Sequence, residues 1–116
     1  MGYLLRKSRA READLLAELD RIVGLLIGEK VERIVLFGSL ATGDATSRSD
    51  IDLIVIENTE QRFLDRLDRI YRLVVPRRAV DILVYTPAEA ARLAEESSFV
   101  RRALAEGKVL YEKNAG

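Results

Sequence analysis

Three aspartates stand inside runs that otherwise read as buried β-strands. Asp50 and Asp52 open DIDLIVI, residues 50 to 56, and Asp81 interrupts AVDILVY, residues 79 to 85. Side chains alternate along a strand, so residues two apart share a face. Asp50 and Asp52 are therefore expected to point one way, with Ile51, Leu53 and Val55 pointing the other way into covering helices. Two carboxylates that close repel each other, and partial burial raises the cost. A divalent cation resolves the conflict, because each carboxylate becomes an oxygen ligand to a shared hard ion. If the second and third strands are neighbours, Asp81 joins the same face beside Asp52. Three carboxylates can hold two Mg²⁺ ions about 3.5–4 Å apart, the arrangement used for in-line phosphoryl displacement. Such ions neutralise triphosphate oxygens and lower the pKa of an attacking hydroxyl, whose proton Asp81 is placed to take.

Gly38-Ser39 lies just upstream, at the end of another strand-like run, and ten residues separate Ser39 from Asp50. Glycine there allows a backbone geometry closed to other residues and lets a ligand approach. Turn amides and a short helix start would bind phosphate oxygens, helped by the Ser39 hydroxyl. Gly43 would let the loop fold back toward Asp50. Arg48, beside the aspartates, is the best-placed arginine for a phosphate, against the plain reading of a solvated loop residue. The composition narrows the chemistry further. The chain has no histidine and no cysteine. That removes the commonest general base, the commonest zinc ligand and all thiolate chemistry.

The elements that must position these residues follow from periodicity. Residues 8 to 28 carry Leu15, Leu16, Leu19, Ile22, Val23, Leu26 and Ile27 at helical spacing, with Gly28 as a stop. VERIVLF, 31 to 37, reads as the first strand, and 38 to 49 as a loop with room for one helical turn. After the strand 50 to 56, a helix from about 60 to 75 is expected, capped by Asn58 or Thr59 and stopped by Pro76. The strand 79 to 85 precedes Thr86-Pro87, a cap followed by proline at the first turn. A last helix, about 97 to 106, ends at Gly107, and KVLY, 108 to 111, reads as a short closing strand. The order α, β, loop, β, α, β, α, α, β predicts an α/β (α+β) sandwich with helices covering a small sheet. The link between the first two strands is too short for a helical crossover, so they should be antiparallel and the sheet mixed.

With 116 residues the expectation is one domain, and 48% hydrophobic with 33% charged residues describes a globular chain. Nineteen basic residues balance nineteen acidic ones, which argues against nucleic acid as the main partner. No apolar run approaches the length of a membrane span and no signal-peptide core is visible, so no membrane association and a cytoplasmic location are expected. Arg6, Lys7, Arg9 and Arg11 read as the solvated face of the first helix, Arg77-Arg78 as a turn, and Tyr71 as core. Tyr85 shares a face with Asp81 and has access to the same pocket. Apolar positions of the first helix beyond what the sheet covers would suit a homo- or hetero-oligomer.

The stretch FGSLATGDATSRSDIDLIV, with Asp81 on a later strand, resembles the minimal nucleotidyltransferases of the DNA polymerase β-like superfamily. The family signature is G-S, about ten residues, D-x-D, and a third acidic residue. The resemblance covers about residues 31 to 111, including the closing ALAEGKVLYE. It implies a palm-like mixed sheet flanked by helices, and transfer of AMP from ATP with Mg²⁺ to an acceptor hydroxyl. It implies that Gly38 and Ser39 hold the β- and γ-phosphates, that Asp50 and Asp52 bind both metals, and that Asp81 binds the catalytic metal and assists deprotonation. Short members of this kind are commonly paired with a small helical HEPN-type ribonuclease toxin, which they adenylylate on tyrosine as antitoxins. Two other readings stand beside that one: a non-catalytic antitoxin that neutralises its partner by binding, and an enzyme acting on a small molecule such as an antibiotic.

Overall fold

The β-branched run VERIVLF forms β1 (Val31–Phe37), and the two aspartate-bearing runs form β2 (Ile51–Glu57) and β3 (Val80–Tyr85). KVLYE closes the chain as β4 (Lys108–Glu112). The computed structural model describes residues 2–28, 30–42 and 50–113. The strands form one sheet in the order β3-β2-β1-β4. β1 runs antiparallel to both β2 and β4, whereas β2 and β3 are parallel, so the sheet is mixed as expected. The parallel pair is joined through α3 (Phe63–Val74), which supplies the long crossover that parallel strands require.

Helices cover both faces. On one, Leu15, Leu19, Ile22 and Leu26 of α1 (Gly2–Ile27) pack with Ile70 and Val74 of α3 over Ile34, Ile51, Leu53, Val55, Ile82 and Val84. On the other, Ala90 of α4 (Pro87–Glu96) and Ala103 of α5 (Ser98–Glu106) cover Val35, Ile54 and Ile56. β2 is buried along its whole length. The aspartate face is thus not a polar sheet surface. It is an apolar face with carboxylates at one end only.

The starts of two helices differ from the periodicity. α1 begins at Gly2, because nothing between Gly2 and Ser8 breaks a helix. α3 starts at Phe63, with Arg62 as its N-cap and no side-chain cap bond. Thr59, expected as a cap, accepts from Gln61 N at 3.1 Å and closes a turn instead. The cap at Thr86 is as anticipated and is a full capping box with Glu89. The Glu89 carboxyl is held below its usual range by the Arg66 guanidinium, which also donates to Val84 O.

A second polar lock fixes the turn that enters β3. Arg21 of α1 donates to Val74 O at 2.8 Å and Val75 O at 3.2 Å, satisfying carbonyls at the end of α3. Val75 there has φ 40°, a left-handed conformation that a β-branched residue adopts at a cost. Buried Glu18 accepts from Arg21 and, at 2.6 Å, from Arg77 N. Arg78 pairs with Asp14 at 3.0 Å, so Arg77-Arg78 forms the expected turn, pinned to α1. The Tyr71 hydroxyl donates to Val80 O and accepts from Ile82 N, joining α3 to the start of β3.

The Arg21 hydrogen bond is the main cause that lowers the Glu18 carboxyl from 4.5 to about 2. With the folded value below the unfolded one, the stability this group contributes is complete above pH 4.5 and lost as pH falls toward 2. Glu18→Gln is therefore expected to lower the thermal midpoint at pH 7, with the gap to wild type shrinking between pH 4.5 and 2. Melting curves across that range check it, and a gap independent of pH would contradict it.

Candidate active site

The strand registers assemble the site. In the parallel pair, Asp52 lies opposite Asp81, and in the antiparallel pair Phe37 lies opposite Asp52. Asp81, Asp52 and Phe37 therefore form a row across three adjacent strands, on one face, with neighbouring strands about 4.8 Å apart. Beyond them on the same face follow Ile54, Leu83 and Tyr85, already under α4 and α5. The row marks where helical cover stops.

The three aspartates differ in setting. Asp52 is 4% exposed, in the middle of the sheet. Asp81 is exposed on the edge strand. Asp50 immediately precedes β2, where its N–H donates to Ala79 O at 2.8 Å. Its carboxylate accepts from Arg11 at 2.6 Å, so the Arg11 of α1 reaches the site across 39 residues of sequence. Asp52 and Asp81 are thus brought side by side, and Asp50 is drawn to Arg11. Among the described residues, no three acidic, histidine or cysteine side chains stand grouped so that they could hold a metal ion together. The donor set nevertheless suits a hard divalent ion: two carboxylates in register on adjacent strands and a third two residues upstream, all oxygen donors.

Gly38 follows Phe37 directly and has φ 73°, the left-handed region that favours glycine. A Cβ at this position would fall 2.2 Å from Asp52 Oδ2 and 2.9 Å from its Cγ. The glycine is required twice, for the turn and for the space beside the carboxylate. Ser39 begins α2 (Ser39–Thr42), the single helical turn anticipated in the loop, and Ala41 N closes back on Gly38 O at 3.2 Å. Arg48 and Gly43 lie outside the described residues.

Tyr85 is not beside the aspartates. It stands four residues along β3 from Asp81, about 13 Å by the strand repeat, and stacks on Phe63 with centroids 6.0 Å apart. Burial pushes its hydroxyl up from the ordinary tyrosine value, as it does for Tyr71. Sequence reasoning missed Arg11 as a partner of Asp50, since a basic helix face reads as solvated until the helix is placed. It also missed Phe99 of α5, which meets Phe37 edge-on with centroids 5.6 Å apart.

Comparison with known proteins identifies a family and a fold. The family described as "Polymerase beta, Nucleotidyltransferase" matches residues 20–116. A protein of Methanocaldococcus jannaschii named "Putative protein adenylyltransferase MJ0604" is 32% identical over 82 residues, spanning 71% of this chain and 80% of that protein. A second from the same organism, "Putative protein adenylyltransferase MJ0141", is 30% identical over 43 residues, spanning 37% of this chain and 43% of its own length. A crystal structure titled as a putative nucleotidyltransferase from Sulfolobus solfataricus superposes with a TM-score of 0.58, covering 95% of this chain and 88% of that one. At 22% identity, that likeness concerns the fold.

Proposed function

This chain belongs to the polymerase β nucleotidyltransferase family, and from that premise we propose that it moves AMP from ATP to a hydroxyl of a partner protein. The observation that carries the reading is the register of Asp52 with Asp81, with Gly38 packed against the Asp52 carboxylate. Protein as acceptor is supported by the names of the two Methanocaldococcus jannaschii relatives. In the reaction, the acceptor oxygen forms a bond to the α-phosphorus. The bond from that phosphorus to the bridging oxygen breaks, and pyrophosphate leaves.

Each residue has a separate task. Asp50, Asp52 and Asp81 would hold the divalent ions, whose contribution when bound is to neutralise phosphate charge and acidify the acceptor hydroxyl. Asp81, exposed at the sheet edge, is open to an incoming hydroxyl and takes its proton. Gly38 and Ser39 face the β- and γ-phosphates, and Arg48 is assigned to the same charge. A small helical HEPN-type toxin is the partner that the short nucleotidyltransferase domain suits. No helix among the described residues is long and apolar enough to cross a membrane.

The test is transfer itself. With ATP labelled at the α-phosphate, Mg²⁺ and a co-purified protein partner, label should enter the partner and be absent when EDTA is added. Label entering only a small-molecule acceptor, or no transfer at all, would overturn the reading.

A further inference from the structure

At the end of β2 away from the aspartates, the strand closes on another buried carboxylate. Glu57 is 1% exposed and lies opposite Val31 of β1. It stands five residues along β2 from Asp52, about 17 Å by the strand repeat. The odd spacing puts it on the other face of the sheet, with Leu53 and Val55. Glu57 Oε1 accepts from Arg69 of α3, which is held in place by a further bond from its Nε to Gln61 Oε1 at 2.8 Å. Glu57 Oε2 is buried as well and has no hydrogen-bond partner among the described residues. A carboxylate oxygen withdrawn from water and left unpaired is costly, and native structures rarely keep one.

Glu57 lines a cleft of about 750 Å³ together with Lys30, Thr59, Glu60, Gln61 and Arg69. One wall of the cleft is preformed. Thr59 Oγ1 accepts from Gln61 N at 3.1 Å, Gln61 O accepts from Arg66 Nε at 2.8 Å, and Asn58 N donates to Lys30 O at 3.0 Å. A volume of this size is typical of small-molecule sites. The chemistry of the guest follows from the unpaired atom. A carboxylate oxygen only accepts, so the guest must donate, and a positive donor makes the stronger bond. Lys30 and Arg69 alone would suit an anion, but Arg69 is already paired with Glu57, and Lys30 is exposed and screened by water. The deep, unscreened end of the cleft is the carboxylate. A bare metal ion asks for a shell of oxygens, whereas these walls interleave carboxylates with cationic and amide side chains. Ammonium and guanidinium groups bring several N–H donors, which the Thr59 hydroxyl and the Glu60 carboxylate can share with Glu57. We propose that this cleft binds a small organic cation, whose ammonium or guanidinium group donates to Glu57 Oε2. The site is separate from the aspartate row in both end and face of the sheet, and it does not depend on the reaction proposed there.

Agmatine, which carries one guanidinium and one ammonium group, is the probe, and succinate is the anionic counterpart. Each is titrated into the full ¹⁵N-labelled chain at constant ionic strength and followed by amide NMR. Agmatine should shift the amides of Glu57, Asn58, Thr59 and Gln61 and the Arg69 Nε–H. Those shifts should saturate at lower concentration than any at Asp52 or Asp81, and succinate should leave the cleft unmoved. Glu57→Gln, with its fold checked by circular dichroism, should weaken agmatine about tenfold or more, the loss of one charged hydrogen bond. Should that variant fail to fold, the wild-type map alone decides. Saturation at the aspartate end first, a cleft that answers succinate in place of agmatine, or no shift with either probe, which leaves Oε2 to water, would each overturn the proposal. So would unchanged agmatine affinity in folded Glu57→Gln.

Discussion

Asp52→Asn is expected to slow nucleotidyl transfer by on the order of a thousandfold while the fold stays intact, a loss of about 4 kcal/mol of transition-state stabilisation. Asparagine matches aspartate in shape, so the packing around a residue that is 4% exposed is preserved. The charge is what changes. Asp52 is the central member of the row, flanked by Asp81 on one strand and Phe37 on the other. Removing one negative charge from a site where carboxylates crowd also relieves repulsion. The thermal midpoint without nucleotide should therefore hold or rise slightly. Single-turnover transfer rates and melting curves on the same preparation check both halves. A variant that transfers at near wild-type rate would remove Asp52 from the chemistry. One that unfolds would make its role structural.

The second large effect is expected at Gly38. Alanine there must adopt φ 73° and place its Cβ 2.2 Å from Asp52 Oδ2, well inside contact distance. The left-handed conformation alone costs about 1–2 kcal/mol for a residue with a Cβ. The clash is resolved only if the backbone or the Asp52 carboxylate moves, and a shift of about 1 Å in a catalytic group can cost on the order of a hundredfold in rate. Gly38→Ala should accordingly lose both stability and activity. Because the displaced atom is a carboxylate oxygen, the variant should also need more Mg²⁺ for half-maximal rate. An alanine variant with normal rate and normal Mg²⁺ dependence would show that the glycine serves the turn alone.

Much of this site was legible in the sequence because its signals are local. The glycine before Ser39 and the apolar alternation around Asp52 and Asp81 each fix a turn or a face without reference to distant residues, whereas Asp50 falls just outside β2 and its carboxylate goes to Arg11. The antiparallel pairing of β1 and β2 followed from the length of the link between them, and the structure has it so. What was not legible depends on three-dimensional placement. The alternation in DIDLIVI correctly put Ile51, Leu53 and Val55 under helices, but Ile54 and Ile56 on the aspartate face are buried too. Only the position of α4 and α5 decides that. Arg11 reads as one charge among several on a helix face, and nothing local says that it meets Asp50. Phe99 is likewise an ordinary apolar residue of an amphipathic helix until Phe37 is seen beside it. Of the first-helix stripe, Leu15, Leu19, Ile22 and Leu26 are core, whereas Leu16 and Ile27 remain at the surface. A helix of 26 residues presents more apolar face than this small sheet covers.

In the function proposed above, Asp52 and Asp81 jointly hold the metal ions that accompany the nucleotide. Paramagnetic Mn²⁺, titrated in the presence of a non-hydrolysable ATP analogue and followed by water-proton relaxation, reads that contact without turnover. The wild-type chain should give strong relaxation enhancement, and Asp52→Asn and Asp81→Asn should each lose it while circular dichroism stays unchanged. Full enhancement in both folded variants would contradict that role, because the ions would then be held somewhere other than across β2 and β3.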